Sequence, residues 1–356
     1  MASSAITGRG TKRKWKRLAA LLMAATALSA AWLAAHPEII GHAARYVRQR
    51  LIPAHAGQWV EFPGSGSACA MAGDTLITQE TGRICAFDPE GRLRWSEETA
   101  LGEPMLRSCG GRAVLYEPGG TELRLADRSG LRTLPVSSGI DAAVLGSDGQ
   151  AAVITAGSGY LTETWIFDPK GSRRASRGFS DRAAVFAAFL ENGQLAQCCL
   201  SPAGQWSLLM EEMDPIPLTA ELVYDMRTCG DGVALWTCDG IELYDEDGRR
   251  AGALAARGQM LDWACGSFAA LLCREAGSYR LLTLWPGGSG ESETLPEAPL
   301  ELAVTRDRAA LLGRETVTVL DRSGTLLRRS PAGAGHIFNV GDGLILVGDG
   351  RFRFIP

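Results

Sequence analysis

The chain has 356 residues, of which 46% are hydrophobic and 21% are charged, and its formal net charge at pH 7 is -4. This composition excludes a disordered chain and supplies enough apolar residues for a large buried core. The length fits either two domains or a single large all-β domain.

The charge is distributed unevenly along the chain. Six basic residues and no acidic residue lie within positions 1–17. Nine of the 36 basic residues and one of the 40 acidic residues precede Gly57, so the remainder carries 27 basic and 39 acidic residues and a charge of -12. Nucleic-acid binding needs clustered Lys and Arg, and Lys170 is the only lysine beyond position 17. We therefore expect no nucleic-acid partner.

An uncharged run of 18 residues begins at Leu18 and ends at Ala35, which is about the length of a helix that crosses a bilayer. A cleaved signal peptide with small residues at the processing site is the alternative to a retained signal-anchor. We favour the anchor because the run is longer than the apolar part of a usual cleaved signal. Six basic residues precede the run and three follow it, which predicts a cytoplasmic amino terminus.

These features divide the chain into four predicted segments. They are a basic cytoplasmic tail at 1–17, a transmembrane signal-anchor helix at 18–36, a stalk at 37–56 and an extracytoplasmic domain at 57–356. The protein is predicted to lie in the cell membrane and to cross it once. The cytoplasmic membrane is therefore one of its predicted partners.

A short turn motif recurs along the predicted extracytoplasmic domain. FDPEG, ADRSG, FDPKG, YDEDG and LDRSG place an Asp at 88, 127, 168, 245 and 321. The steps between these positions are 39, 41, 77 and 76 residues, so each long step is close to twice 38 and hides one degenerate copy. An apolar strand before each motif and a short polar strand after it, repeated at this period, are typical of four-stranded propeller blades.

The motif itself is explained by turn geometry. The Asp side chain can accept backbone hydrogen bonds within the turn, and the Gly can adopt a positive φ. YDEDG has the start of a calcium loop but lacks its later Glu ligand. We therefore expect no metal at these turns.

The repeats predict an all-β fold, an eight-bladed β-propeller preceded by one transmembrane helix. First strands are predicted near 67, 104, 140, 183, 221, 260, 300 and 336, and seven blades is the alternative if one degenerate copy is not a blade. The eighth copy ends after its third strand. The segment GQWVEF at 57–62 precedes the first full repeat, at the position that a fourth strand would occupy. We therefore expect strands from the two termini to pair, close the ring and remove an open sheet edge.

ICAFDPEGRLRW, TWIFDPKG and VTVLDRSG resemble the repeat of pyrroloquinoline-quinone-like propellers, which are similar to WD40-like propellers. The resemblance covers 57–356 and implies a fold rather than an activity, because the repeat occurs in quinoprotein dehydrogenases and in outer-membrane assembly scaffolds. The layout is similar to that of a family of single-span membrane-anchored bacterial propeller proteins. The Trp that quinoprotein repeats place after the turn is present only as Trp95, so no cofactor is expected.

The adjacent residues Cys198 and Cys199 resemble the vicinal disulfide on which the quinone stacks in those enzymes. Strand alternation would instead point the two side chains to opposite faces of a sheet, which favours two core thiols. The nine cysteines lack metal-ligand spacing, and two interpretations stay open for them. They are either small core residues, which we favour, or partners in one or two disulfides of an oxidising compartment.

Catalytic motifs are scarce in the sequence. Of the four histidines only His336 lies in the predicted propeller, and there is no phosphate-binding loop, GxSxG motif or paired CxxC. We therefore assign no catalytic residue and no metal ligand. Catalysis by two carboxylates, as in glycoside hydrolysis, needs no such motif and is the alternative to a binding function.

Candidate binding residues come from the loops between second and third strands. In a propeller these loops share one face, while the short Gly and Asp turns share the other. The loops are predicted to bring an acidic rim with two tyrosines near the channel mouth, which suits a cationic peptide, a glycan or a metal ion. The rim residues are Glu80, Glu117, Tyr160, Asp239, Glu275, Tyr279 and Glu315.

The leading functional hypothesis is a membrane-anchored extracytoplasmic propeller that acts as a binding or sensing scaffold for a protein or a cell-envelope ligand. Its alternative is a carbohydrate-active hydrolase or lyase that uses loop carboxylates.

Overall fold

The computed structural model describes residues 57–64, 68–80, 82–102, 104–211, 213–333, 335–340, 343–348 and 350–355. Its 32 described strands form eight four-stranded antiparallel sheets, so the prediction of an eight-bladed β-propeller is confirmed. The predicted tail, transmembrane helix and stalk lie outside the described residues. Within the described part of the chain, no helix is long and apolar enough to cross a bilayer.

The first four blades follow one another in chain order. Blade 1 contains β2 (Ala68–Ala72), β3 (Thr75–Glu80), β4 (Arg83–Phe87) and β5 (Leu93–Glu98). Blade 2 contains β6 (Met105–Cys109), β7 (Arg112–Tyr116), β8 (Glu122–Asp127) and β9 (Gly130–Pro135). Blade 3 contains β10 (Ile140–Leu145), β11 (Ala151–Ala156), β12 (Thr162–Phe167) and β13 (Arg173–Phe179). Blade 4 contains β14 (Ala183–Phe189), β15 (Leu195–Leu200), β16 (Trp206–Leu209) and β17 (Ile216–Pro217).

The remaining blades end with one that uses both ends of the domain. Blade 5 contains β18 (Val223–Cys229), β19 (Gly232–Thr237), β20 (Gly240–Tyr244) and β21 (Arg250–Ala255). Blade 6 contains β22 (Gln259–Cys265), β23 (Ala269–Glu275), β24 (Ser278–Trp285) and β25 (Gly288–Glu291). Blade 7 contains β26 (Glu301–Val304), β27 (Arg308–Leu312), β28 (Thr316–Asp321) and β29 (Leu326–Pro331). Blade 8 contains β30 (His336–Val340), β31 (Gly343–Gly348), β32 (Arg351–Ile355) and β1 (Trp59–Glu61).

The first strands of the blades form the inner wall of the ring. Each contacts the first strand of the next blade, and β30 of blade 8 contacts β2 of blade 1. The two degenerate copies of the turn motif belong to blades 4 and 6. There the third and fourth strands still pair, β16 with β17 and β24 with β25. The interpretation of the long steps as doubled repeats is therefore confirmed.

The recurring Asp-Gly turn joins the third strand of a blade to the fourth. In the first copy, Asp88 Oδ1 accepts hydrogen bonds from the backbone N–H of Glu90 at 3.0 Å and of Arg92 at 2.9 Å. Gly91 has a φ of +77° and donates its N–H to the Asp88 carbonyl. Burial alone would raise the pKa of Asp88, but the hydrogen bonds and the charge from Arg92 outweigh burial and lower it.

The hydrophobic core is divided into eight clusters, each between two neighbouring blades. Alternation along a strand supplies two clusters at once, since Ile84 and Ala86 face blade 2 while Cys85 and Phe87 face blade 8. Both faces of every sheet are thus buried, which explains why the inner strands are apolar on both faces.

The two ends of the domain meet in blade 8 as predicted. Strand β1 pairs antiparallel with β32, with Val60 opposite Phe352 and Trp59 opposite Arg353. Phe62 is only 4% exposed, and its ring lies 5.0 Å from Phe87 of blade 1. The amino-terminal strand therefore completes blade 8 and also seals the contact between blades 8 and 1.

A shortened chain that begins at Gly64 is expected to melt at a lower temperature than one that begins at His55. The shorter chain loses Trp59, Val60 and Phe62, and burial of each large apolar side chain contributes about 1.5 to 3 kcal/mol. It also leaves β32 as an open edge, which promotes aggregation. Thermal unfolding followed by circular dichroism and light scattering measures both effects, and equal stability of the two chains would contradict closure by the termini.

Candidate functional site on the loop face

One face of the ring, here called the loop face, carries the loops between second and third strands and the connections between blades. Register places these two kinds of segment side by side. Leu222, which precedes β18, accepts a hydrogen bond from Cys238 N in the loop of the same blade at 2.9 Å. Leu300 N, which precedes β26, donates to the Leu312 carbonyl at 2.6 Å. The loop face therefore also displays the beginnings of the innermost strands.

All seven candidate rim residues lie at or beside these loops. The structure distributes them over six blades, and only Glu275 and Tyr279 share a blade. Each loop joins the second strand to the third, so the first strand of the blade stands between it and the channel. The first strands therefore lie nearer the channel than the rim residues do, and the rim residues stay a prediction.

Three of the rim residues have clear local roles. Glu117 Oε1 accepts a hydrogen bond from Gly102 N at 2.5 Å and so ties its loop to the connection entering blade 2. The ring of Tyr160, half exposed, covers Gly178, where an added Cβ would lie 2.6 Å from a ring carbon. The guanidinium of Arg274 lies 5.8 Å from the centre of the Tyr279 ring. Asp239 and Glu315 are exposed, whereas Glu80 is half-buried.

The channel entrance of blades 5 to 8 holds a row of carboxylates that sequence reasoning missed. Asp225, Asp262 and Glu301 lie on the first strands of blades 5, 6 and 7, and we call these three residues the carboxylate row. Each accepts a hydrogen bond from the first strand of the next blade. The donors are Trp263 Nε1 for Asp225 at 3.2 Å, Leu302 N for Asp262, and Ile337 N for Glu301 at 2.8 Å.

Arg227 extends the first contact of the row. Its Nε lies 3.0 Å from Asp225 Oδ2, its Nη1 donates to the Trp263 carbonyl at 2.9 Å, and its guanidinium lies 4.7 Å from the Trp263 ring centre. One side chain thus combines an ion pair, a hydrogen bond and a cation–π contact across the boundary between blades 5 and 6.

Asp262, in the middle of the carboxylate row, has a raised pKa. Burial is the main cause, and the negative charge of Glu301 adds to it. Hydrogen bonds from the backbone of Trp263 and Leu302 and the positive charge of Arg227 offset part of the shift. A carboxyl group with a raised pKa can donate or hold a proton at a higher pH than a free Asp.

Glu301 ends the row in a close pair with His336 of blade 8. Glu301 Oε1 lies 2.5 Å from His336 Nδ1, and Glu301 Oε2 accepts from the backbone of Ile337. The hydrogen bond to Glu301 raises the pKa of His336 and outweighs the burial that would lower it. The imidazole is therefore biased towards its charged form, which suits a tie between blades 7 and 8.

Exposed apolar side chains lie on the same face. Among the described residues, eleven large hydrophobic side chains are exposed, and seven of these lie on the loop face. The seven, here called the apolar entrance set, are Met105, Tyr160, Leu161, Leu222, Tyr224, Leu261 and Leu300. Exposed apolar side chains gathered on one face of a protein are candidates for an interaction site.

Bulges at the start of the innermost strands contribute to this exposure. The pairing register shifts between Val223 and Asp225 in blade 5, and between Met260 and Asp262 in blade 6. The extra residues, Tyr224 and Leu261, belong to the apolar entrance set. A β-bulge redirects a side chain away from the alternation of its strand, so these two residues are displayed rather than buried.

The sequence does contain a signal for the carboxylate row. YDMR, LDWA and LELA place an acid after a large apolar residue at 225, 262 and 301, and these positions are separated by 37 and 39 residues. An acid repeated at the blade period inside an apolar first strand could have identified the row. The search for polar residues in loops missed it because these acids lie in strands.

The two adjacent cysteines lie on opposite faces of blade 4. Cys198 packs in the cluster shared with blade 5, and Cys199 packs in the cluster shared with blade 3, as strand alternation predicted. Burial raises the pKa of Cys199 to about 11 and that of Cys198 further. Six of the nine cysteines are buried, which supports their interpretation as core residues.

A wide surface depression lies away from the entrance, at the outer edge of blade 6. Its charged lining includes Arg280 and Glu291, which form an ion pair, and Arg257 also pairs with Glu291. These charges already neutralise one another, so the loop face is the better candidate site.

His336 is expected to titrate above the ordinary histidine pKa of about 6.5. Because its folded-state pKa is raised, the contact with Glu301 stabilises the fold fully below about pH 6.5 and is lost as the pH rises through the folded-state pKa. A chain that begins at Gly57 contains no other histidine, so an NMR titration of its imidazole protons reports this residue alone.

The matched variants are Glu301→Gln, which should lower the His336 pKa towards its ordinary value, and Glu315→Gln, which should leave it unchanged. A wild-type His336 that titrates at or below about 6.5 would contradict the pairing.

No known protein-family model matches the chain, and no curated protein sequence matches it. Solved structures with the same architecture do match. BamB from Moraxella catarrhalis is 14% identical with a TM-score of 0.53, over 84% of this chain and 98% of that one.

Two further structures give the same result. The dihydro-heme d1 dehydrogenase NirN is 13% identical with a TM-score of 0.52, over 82% of this chain and 73% of that one. Apo AztD from Citrobacter koseri is 11% identical with a TM-score of 0.51, over 83% of this chain and 88% of that one. At these identities the likeness supports the β-propeller fold and nothing finer.

Proposed function

We propose that this protein is a membrane-anchored extracytoplasmic β-propeller whose loop face binds a protein or another ligand of the cell envelope. The turn motif would place it among the pyrroloquinoline-quinone-like propellers, and the anchor rests on the uncharged run that begins at Leu18. The observation that carries the binding function is the apolar entrance set, seven exposed large side chains on one face of the ring.

The physical argument rests on what the side chains of that face already contact. The carboxylate row is engaged in hydrogen bonds between blades, so its acids have a structural role. The apolar entrance set stays in water in the described chain, which is costly for large side chains. The Tyr224 ring also lies 5.3 Å from the Trp236 ring, at an interplanar angle of 54°, and the Trp236 ring lies 6.0 Å from that of Trp263. This support would make Tyr224 a rigid anchor for a partner, as aromatic residues often are at interfaces.

Photo-crosslinking in cells of the native organism tests the binding face. We expect a photoreactive phenylalanine analogue at Leu300 or Tyr224 to give a covalent adduct with a partner. Leu93 is the matched control, since it is 52% exposed against 54% for Leu300 but lies on the opposite face. Adducts from Leu93 and none from Leu300 or Tyr224 would contradict a binding loop face.

Saccharide turnover by the purified protein that is lost in Glu80→Gln or Glu117→Gln would favour the enzyme instead.

Protease accessibility tests the predicted membrane topology. Protease added to intact cells should digest the propeller and spare residues 1–17, because the basic residues before the uncharged run predict a cytoplasmic amino terminus. Protection of the propeller until the membrane is broken would show that the orientation is wrong. A mature amino terminus near Leu28 or Trp32 would show that the run is a cleaved signal.

A further inference from the structure

The outer groove between blades 7 and 8 collects positive charge on an acidic protein. Register shows which side chains face it. Arg328 pairs with Val319, whose side chain packs against blade 8, so Arg328 also faces blade 8. Arg353 pairs with both Trp59 and Leu346, and Leu346 packs against blade 7. We call the set Trp59, Arg328, Arg351 and Arg353 the seam groove.

The arginines of the seam groove are packed close together by the fold. The guanidiniums of Arg351 and Arg353 lie 4.6 Å and 4.8 Å from the centre of the Trp59 ring. Burial lowers the pKa of Arg353, and the positive charges of Arg328 and Arg351 lower it further. The three charges therefore repel one another, and Arg353 is the half-buried member of the group.

Little in the described chain compensates for this repulsion. Arg353 Nη2 donates to the Pro331 carbonyl at 3.1 Å and Arg351 Nη2 to the Gly333 carbonyl at 3.4 Å. Arg353 Nε is buried without an acceptor. Glu61 lies opposite Arg351 in the strand pair, yet none of the three arginines forms an ion pair within the described residues.

We propose that the seam groove binds an oxyanion of the phosphate or sulfate type, held by Arg353 together with Arg328. Such a ligand offsets the repulsion among the three charges. A guanidinium fork presents paired donors that match the oxygens of a tetrahedral oxyanion. The groove lies at β1, where the chain enters the propeller 24 residues after Ala35, so the phosphate of a lipid headgroup and free phosphate are both possible sources.

Calorimetric titration of the full-length chain in a non-ionic detergent with inorganic phosphate tests the site, at an ionic strength held constant with chloride. The wild-type chain should bind phosphate saturably, and Arg328→Ala should weaken the affinity about tenfold through loss of one charge-assisted contact. Arg329→Ala is the matched control. Arg329 is the next residue of the same strand, pairs with Thr318 and faces blade 6, so this variant should bind phosphate as the wild type does.

Equal weakening by Arg328→Ala and Arg329→Ala would show a diffuse charge effect and overturn the proposal, as would no saturable binding by the wild type. The two variants should melt within a few degrees of the wild type in chloride, because both arginines are exposed. A phosphate-dependent rise in melting temperature for the wild type and Arg329→Ala, reduced for Arg328→Ala, is an independent readout.

A second arm identifies the source of the oxyanion. The full-length chain is placed in nanodiscs of either phosphatidylglycerol or phosphatidylcholine, and its affinity for inorganic phosphate is measured in each. If the wild-type chain binds phosphate more weakly in phosphatidylglycerol discs than in phosphatidylcholine discs, and Arg328→Ala shows no such difference, then anionic lipid headgroups compete with phosphate for the groove. Equal affinity in the two discs assigns it to a free oxyanion.

Discussion

The pairing of β1 with β32 is the constraint on which the rest of the structure depends. It joins residues almost 300 positions apart, Val60 and Phe352, and gives blade 8 its fourth strand. Only in a closed ring does every blade have two neighbours, so that all eight apolar clusters have both of their walls. Phe62 illustrates the coupling, because its ring contacts Phe352 of blade 8 and Phe87 of blade 1 together. Open edges and half-covered sheets are the alternatives to closure, and both are costly.

Closure also sets the two faces of the ring apart. On one face the Asp-Gly turns are short and satisfied by their own backbone, as Asp88 and Gly91 show. On the other face, longer segments enter and leave the blades, and polar and apolar groups serve different purposes there. The carboxylate row ties blades 5 to 8 near the channel through hydrogen bonds between neighbouring first strands. Tyr224 and Leu300 are left to water, which is why a binding function is better argued from them than from the acids.

The seam groove arises from the same closure. Along β32, Phe352 and Phe354 face blade 1, while Arg351 and Arg353 face blade 7. The aromatic side chains of this strand seal the ring, and the intervening arginines are consequently brought against Arg328 of blade 7. Positive charge thus accumulates at one boundary of a domain whose net charge is negative.

Sequence alone determined the features that depend on short stretches of chain. Five residues encode the Asp-Gly turn, and two successive residues are enough to show strand alternation. The recurrence of these signals every 38 to 40 residues predicted the blades, including the two with a degenerate turn. The truncated last copy and the extra strand at 57–62 indicated closure. The opposite orientations of Cys198 and Cys199 followed from alternation as well.

The tertiary structure alone decided which side chains of different repeats meet. Asp225 reaches Trp263 and Glu301 reaches His336, across separations of 38 and 35 residues that carry no local signal of contact. Bulges displaced Tyr224 and Leu261 from the alternation that would have assigned them a face. The acids of the row lie within apolar strands, so their own sequence neighbourhood predicts core rather than a polar site. Contacts between blades depend on the register and twist of neighbouring sheets, and those are fixed only when the whole ring packs.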